Sequence, residues 1–264
     1  MTAEPPVSPL LEFDPSPVAF LEPAATVTRR DVPEACVVTF FGDVVQRLVE
    51  TGRGQVLAEN VWEDGPHPLL ELDHEGRRVA VLHSGVGAPL SVGLLEQAIA
   101  TGCRAFVVCG GAGALRQDLV VGHLVLVDSA VRDEGTSHHY APAARTIDAD
   151  PQALAVLAEV LRERGATYVA GRTWTTDGPY RETPAKIAAR RAEGCLTVDM
   201  EAAALAAAAA FRGVPLAQVV YAGDDLSGEL WDRREWQSQT EVREELLALA
   251  ATAALRLADL SLNG

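Results

Sequence analysis

The sequence predicts an α/β fold: one domain on a central mixed, largely parallel twisted sheet flanked by helices. Three observations lead there. Short apolar runs of strand length, such as ACVVTFF (35–41) and RAFVVCG (104–110), alternate with stretches that are apolar at helical spacing. Those runs are continuously hydrophobic, as strands covered on both faces are. The 264 residues, 48% of them apolar, are enough for one large core.

The elements follow in order. Residues 1–30 carry many of the prolines and show no period, so they predict an arm that packs on the surface or on a neighbouring subunit; residues 31–264 form the domain. After the strand at 35–41, Gly42-Asp43 leads into VVQRLVE, a helix by spacing. RRVAVLHSGVGAP (77–89) is a strand ending in glycines, and SVGLLEQAIATG is a helix that Gly102 stops. RAFVVCGGAGAL (104–115) is a buried strand closed by Gly110, Gly111 and Gly113, and HLVLVDSAVRDEG (123–135) is a strand that leads into a polar loop. DPQALAVLAEVLRERG is a helix with Asp150 as cap and Gly165 as stop. TYVAGRTWTTD (167–177) is strand-like, a polar helix fills 184–193, LAQVVYAG (216–223) is a strand, and a terminal helix runs from about 237 to 258. Between the last strands, TVDMEAAALAAAAAF opens an alanine-rich helix behind two acids, Asp199 and Glu201.

Composition excludes several functions. A net charge of −15 leaves no basic surface for nucleic acid, and no apolar run is long enough to span a bilayer. MTAEPPVSPLLEFDPSPVAF lacks a basic leader region, which predicts a cytoplasmic protein. The four cysteines form no CxxC pair, and His138-His139 has no third ligand at a metal spacing, so no metal site is expected.

Ligands in such folds collect at the carboxyl ends of strands. The unusual residues lie there: Gly85 and Gly87, the 110–113 glycines, Trp174–Asp177, Asp199–Glu201, and Asp224-Asp225. Closely spaced glycines let backbone N–H groups approach an anion, although tight turns explain them as well. Asp199 suits a helix cap. A carboxylic acid such as Asp224 at a strand end suits proton donation to a leaving group, and the Trp174 indole suits stacking on a flat heterocycle.

TVDMEAAAL, followed by a strand and AGDDLSG, resembles the signature region of the nucleoside phosphorylase/nucleosidase superfamily, the purine nucleoside and uridine phosphorylase group. FFGD…R, SGVGAPLS, VCGGAGAL, VRDEGTSHHYAP and WTTDGPY are similar to further family segments in the same order, over about residues 35–228. The resemblance implies a nucleoside phosphorylase, with a nucleosidase that uses water as the alternative and a non-catalytic nucleoside-binding protein as the third reading. Glu201 would accept hydrogen bonds from the ribose hydroxyls above Met200, and Trp174 with Asp177 would face the base. Asp224 would protonate the departing base, and Gly42, Arg47 and Gly111 would hold phosphate. The implied partners are a nucleoside and inorganic phosphate as co-substrate, with no cofactor, in a homo-oligomer (dimer or hexamer).

The chain departs from the pattern in places. The arginine that clamps phosphate in the family is Val108 here, and the spacing from Gly42 to Arg47 is one residue longer. Arg132 and Arg181 are candidate replacements by position. The stretch after Tyr180 reads RETPAK, without the Gln/Arg pair that reads a pyrimidine in uridine phosphorylases, which favours a purine.

Overall fold

In the computed structural model the described residues are 8–262; the first seven residues of the expected arm and the last two of the expected domain lie outside them. From residue 8 the arm runs largely exposed through short 3-10 turns at Pro9–Leu11 and Pro23–Ala25. Few bonds tie it down. Arg212 Nη1 donates to the Pro17 carbonyl at 3.3 Å, and Gln97 Nε2 donates to Thr26 Oγ1 at 3.3 Å.

Strand β1 (Ala35–Thr39) opens the sheet and helix α1 (Gly42–Glu50) follows it. Next come β2 (Gly54–Trp62) and β3 (Gly65–His74), an antiparallel pair to which the sequence reading assigns no element. One face of β2 is exposed and its register shifts between Val56 and Ala58, while β3 contains two prolines; both features obscure the alternation that marks a strand. Then follow β4 (Arg77–His83), α2 (Ala88–Thr101), β5 (Ala105–Ala114), β6 (Leu124–Asp133) and the short β7 (Thr146–Asp148). The rest is α3 (Pro151–Glu163), β8 (Tyr168–Thr176), α4 (Pro184–Ala192), β9 (Cys195–Asp199), α5 (Ala202–Arg212), β10 (Leu216–Asp225) and α6 (Thr240–Leu262).

The caps agree with the sequence. Asp150 accepts from the backbone N–H groups of Gln152 and Ala153, and Gly165 takes the left-handed conformation at φ +71°. One expectation is corrected: the glycines at 110, 111 and 113 do not close the strand, because β5 runs through them to Ala114. They are small because neighbours crowd the sheet there. A Cβ on Gly113 would lie 2.6 Å from Leu226 Cδ1 and 2.9 Å from Val198 Cγ1.

The sheet is mixed. β4, β1, β5 and β10 are parallel neighbours in that order, as are β6, β8 and β9. Antiparallel pairings join β10 to β6 and β9 to β5, so β5, β10, β6, β8 and β9 close into a ring. The seam is short, Gly113 opposite Val198 and Ala114 opposite Thr197. β4, β3 and β2 extend the sheet outward from β1.

The pleat sorts successive residues into two cores. Val37, Val107 and Val219 pack with α1, α3 and α6 on one side. Cys36, Val38, Phe106 and Val108 pack with α2 and α5 on the other. Ala204 and Ala208 on α5 are fully buried, and their small side chains let the helix sit close to α2. No helix among the described residues is long and apolar enough to cross a membrane.

Candidate active site

A cleft of about 680 Å³ opens at the carboxyl ends of β5, β9 and β10. Apolar and aromatic side chains form most of its wall, including Phe40, Phe41, Tyr180, Trp231 and Trp236. Four acids face it, Glu182, Asp199, Glu201 and Asp224, with one cation, Arg243. Both its volume and its apolar lining suit a small flat ligand.

β9 ends at Asp199, whose Oδ1 accepts from the N–H groups of Glu201 at 3.1 Å and Ala202 at 3.2 Å. Asp199 therefore acts as a cap for the start of α5, and burial pushes its pKa up to about 6. Glu201 lies beyond that cap with its carboxyl free to face inward. Its Oε1 accepts from Gly87 N at 2.6 Å. Gly87 presents that N–H at φ +98°, a conformation that other residues rarely adopt. Burial first, and then the nearby Asp199 charge, push the Glu201 pKa up to about 8. Met200 sits between the two acids, half-buried, and lines the cleft.

Asp224 stands at the end of β10, half-buried, and its Oδ2 accepts from Trp231 Nε1 at 2.6 Å. Its neighbour Asp225 is structural: it pairs with Arg234, and its Oδ1 accepts from Ser227 N at 2.7 Å. Arg234 and Glu235 both have positive φ, +49° and +45°, so the segment that carries Trp231 is folded back tightly over the strand end. Glu182 also faces the cleft, and burial, with the Asp224 charge second, pushes its pKa up to about 7. Glu182, in RETPAK, gives no sequence signal of this role, because an acid after a turn carries no pattern of its own.

Several expected site residues are elsewhere. Trp174 does not line the cleft: it is fully buried within β8, its Nε1 donates to Asp133 Oδ2 at 3.0 Å, and Lys186 and Arg190 lie over its ring. Trp231 and Trp236 are the indoles in the cleft. Asp177 also lies off the lining: it is exposed, and its Oδ2 accepts from Gly135 N at 2.8 Å, tying the end of β8 to the loop after β6. Arg47 points away, toward α6, where it pairs with Glu244 at 3.2 Å and Asp43 at 3.8 Å beside a separate cavity of about 140 Å³. Each residue turns an α-helix by about 100°, so the extra residue after Gly42 carries this side chain round to another face.

Gly42 begins α1 just behind Phe41 and does not line the cleft, whereas Gly111 does. Arg132 is spent on the loop after β6, donating to Ser137 Oγ and to the carbonyls of Ala141 and Pro142. Arg181 is exposed in the turn before α4 and does not line the cleft. The cleft's arginine is Arg243, from the first turn of α6, which the sequence reading overlooked. Among the described residues no three or more His, Cys, Asp or Glu side chains gather to hold a metal ion.

A family model described as the phosphorylase superfamily matches residues 34–260. The guanosine phosphorylase of Halorubrum lacusprofundi is 24% identical over 193 residues, 73% of this chain and 79% of that protein. The uridine phosphorylase of Escherichia coli is 27% identical over 201 residues, 71% of this chain and 78% of that protein. Among solved structures, an AMP nucleosidase from Bacteroides thetaiotaomicron superposes with a TM-score of 0.71 at 19% identity, covering 89% of this chain and 92% of that one. At that identity the superposition speaks for the fold alone.

Proposed function

The chain belongs to the phosphorylase superfamily, and from that premise we propose that it cleaves the N-glycosidic bond of a purine nucleoside with phosphate, giving the free base and a pentose 1-phosphate. One observation carries the reading: Glu201 and Asp224, from the ends of β9 and β10, face the same apolar cleft. Phosphate attacks the anomeric carbon while the bond to the base breaks, and the base takes the bonding electrons. Asp224 hydrogen-bonds or protonates the base as it leaves. Glu201 accepts from the ribose hydroxyls, above Met200.

The sugar gains positive charge as the bond breaks. That charge favours the ionised form of Glu201, which burial disfavours, so this carboxylate interacts most strongly with the transition state. Glu182 and Asp224 form the acidic wall for the base. The absence of a Gln/Arg pair after Tyr180 and the name of the haloarchaeal relative support a purine.

The test is base release from a panel of nucleosides, with and without phosphate. Phosphate-dependent release with purines fastest is the expected result; equal release without phosphate assigns the chemistry to water. One observation favours that second reading: the strand position that carries the phosphate arginine in the family pattern is the apolar, fully buried Val108. We also infer a homo-oligomer, dimer or hexamer, supported by the exposed Val61 and Val86, the latter on the cleft. Light scattering tests it. Free, buried cysteines support a reducing, cytoplasmic setting.

A further inference from the structure

The strand position where an arginine would clamp phosphate is Val108, which is fully buried in the core under α2 and α5. Another helix supplies a guanidinium. Arg243 of α6 is 7% exposed and lines the cleft. Its Nη1 donates to Asp43 Oδ1 at 2.7 Å, and its Nε donates to the Tyr221 hydroxyl at 3.1 Å. Its Cζ lies 5.3 Å from the Phe41 ring centre and 5.6 Å from that of Trp236. Two hydrogen bonds and two aromatic faces thus fix both the position and the plane of the group.

The anchors of Arg243 adjoin Gly42 and Gly111, the two glycines to which the family resemblance gives a phosphate role. Asp43 follows Gly42 at the start of α1. Tyr221 packs against Gly111: a Cβ there would lie 3.2 Å from the tyrosine Cζ and 3.3 Å from its hydroxyl oxygen. Gly111 thereby leaves room for the ring that carries Arg243. Nη2 has only a long contact, 3.5 Å, to the Trp236 carbonyl, so donors remain for an oxyanion.

We propose that Arg243, held by Asp43 and Tyr221 between Phe41 and Trp236, binds the phosphate co-substrate in place of the absent strand arginine. This rests on the phosphorolysis reading. An arginine in the first turn of a helix opposes the macrodipole, and an anion bound at its guanidinium offsets that cost.

The test is steady-state phosphorolysis by wild type, Arg243→Gln and Arg243→Lys, varying phosphate at saturating nucleoside and then the reverse. Melting curves check the fold of each, and calorimetry measures inorganic phosphate binding without turnover. Arg243→Gln is expected to raise the phosphate KM at least about 30-fold and to abolish measurable phosphate binding, with the nucleoside KM within about threefold, since a charge-assisted bidentate contact is lost. Arg243→Lys keeps a charge without the planar fork and recovers part of the loss. If the glutamine variant does not fold, the lysine variant decides, with an expected rise of about fivefold or more. A phosphate KM within about twofold of wild type in the folded variant, in an enzyme that still needs phosphate, overturns the role of Arg243 and leaves phosphorolysis standing. Wild-type release at full rate without phosphate overturns phosphorolysis itself, and this inference with it.

Discussion

Two groups of residues at the cleft are built differently. In one group, Asp199, Met200 and Glu201 are consecutive, and Asp224 closes the next strand along the chain. In the other group, Asp43 and Arg243 meet from positions 200 apart in sequence, and Arg243 also bonds Tyr221 of β10. A site written into one strand-to-helix turn is legible as a motif. A site assembled from three separate elements exists only after folding. The first group is therefore expected to carry the reaction common to the superfamily, and the second to carry what is particular to this chain.

That contrast can be broken experimentally, and at the motif residues the largest effect is expected on turnover. Asp224→Asn should lower turnover at least about tenfold, at the weak limit of lost general acid catalysis, in a phosphate-saturated assay. Turnover near wild type would remove its proton role. Glu201→Gln should depress ribosides more than 2′-deoxyribosides; equal loss would remove its contact with the 2′-hydroxyl. The same variant has a pH signature. The folded pKa of Glu201 is raised from 4.5 to about 8, so its contribution to stability is complete below about 4.5 and is lost as pH rises through 8. Melting of the ligand-free wild type should therefore fall over that window by several degrees more than melting of Glu201→Gln.

Smaller effects sharpen the contrast. Trp231→Phe keeps a ring but removes the donor to Asp224, and should cost about threefold to tenfold in kcat. Arg47→Gln should change phosphate KM by less than about twofold, because its near partner is the exposed Glu244 outside the cleft and its contact with Asp43, the anchor of Arg243, is a long 3.8 Å. A large rise in phosphate KM there would return the anion role to the position that the motif suggests.

Legibility follows the same division. Asp150, Gly165 and the Asp199 cap were readable because a cap is settled within four residues. Trp174 was misread because a residue's neighbours in sequence do not reveal which sheet face it takes; here it faces Val131 and Val198 in a small core. Arg47 shows the cost of one extra residue in a helix. Arg243 left one trace in the sequence, a cation at the start of a helix where acids are preferred. Glu182 left none, because its environment is made by burial and by Asp224.

The closed ring of β5, β10, β6, β8 and β9 bears on how the protein opens. A ring has no terminal strand to peel away, so amide hydrogens in β9 and β10 should exchange with solvent only through global unfolding, while those of β2, at the sheet's free margin, exchange through cheap local excursions. The carboxylates of Glu201 and Asp224 are thus mounted at the ends of two strands of that ring, and their spacing should survive mild denaturant until the whole domain is lost.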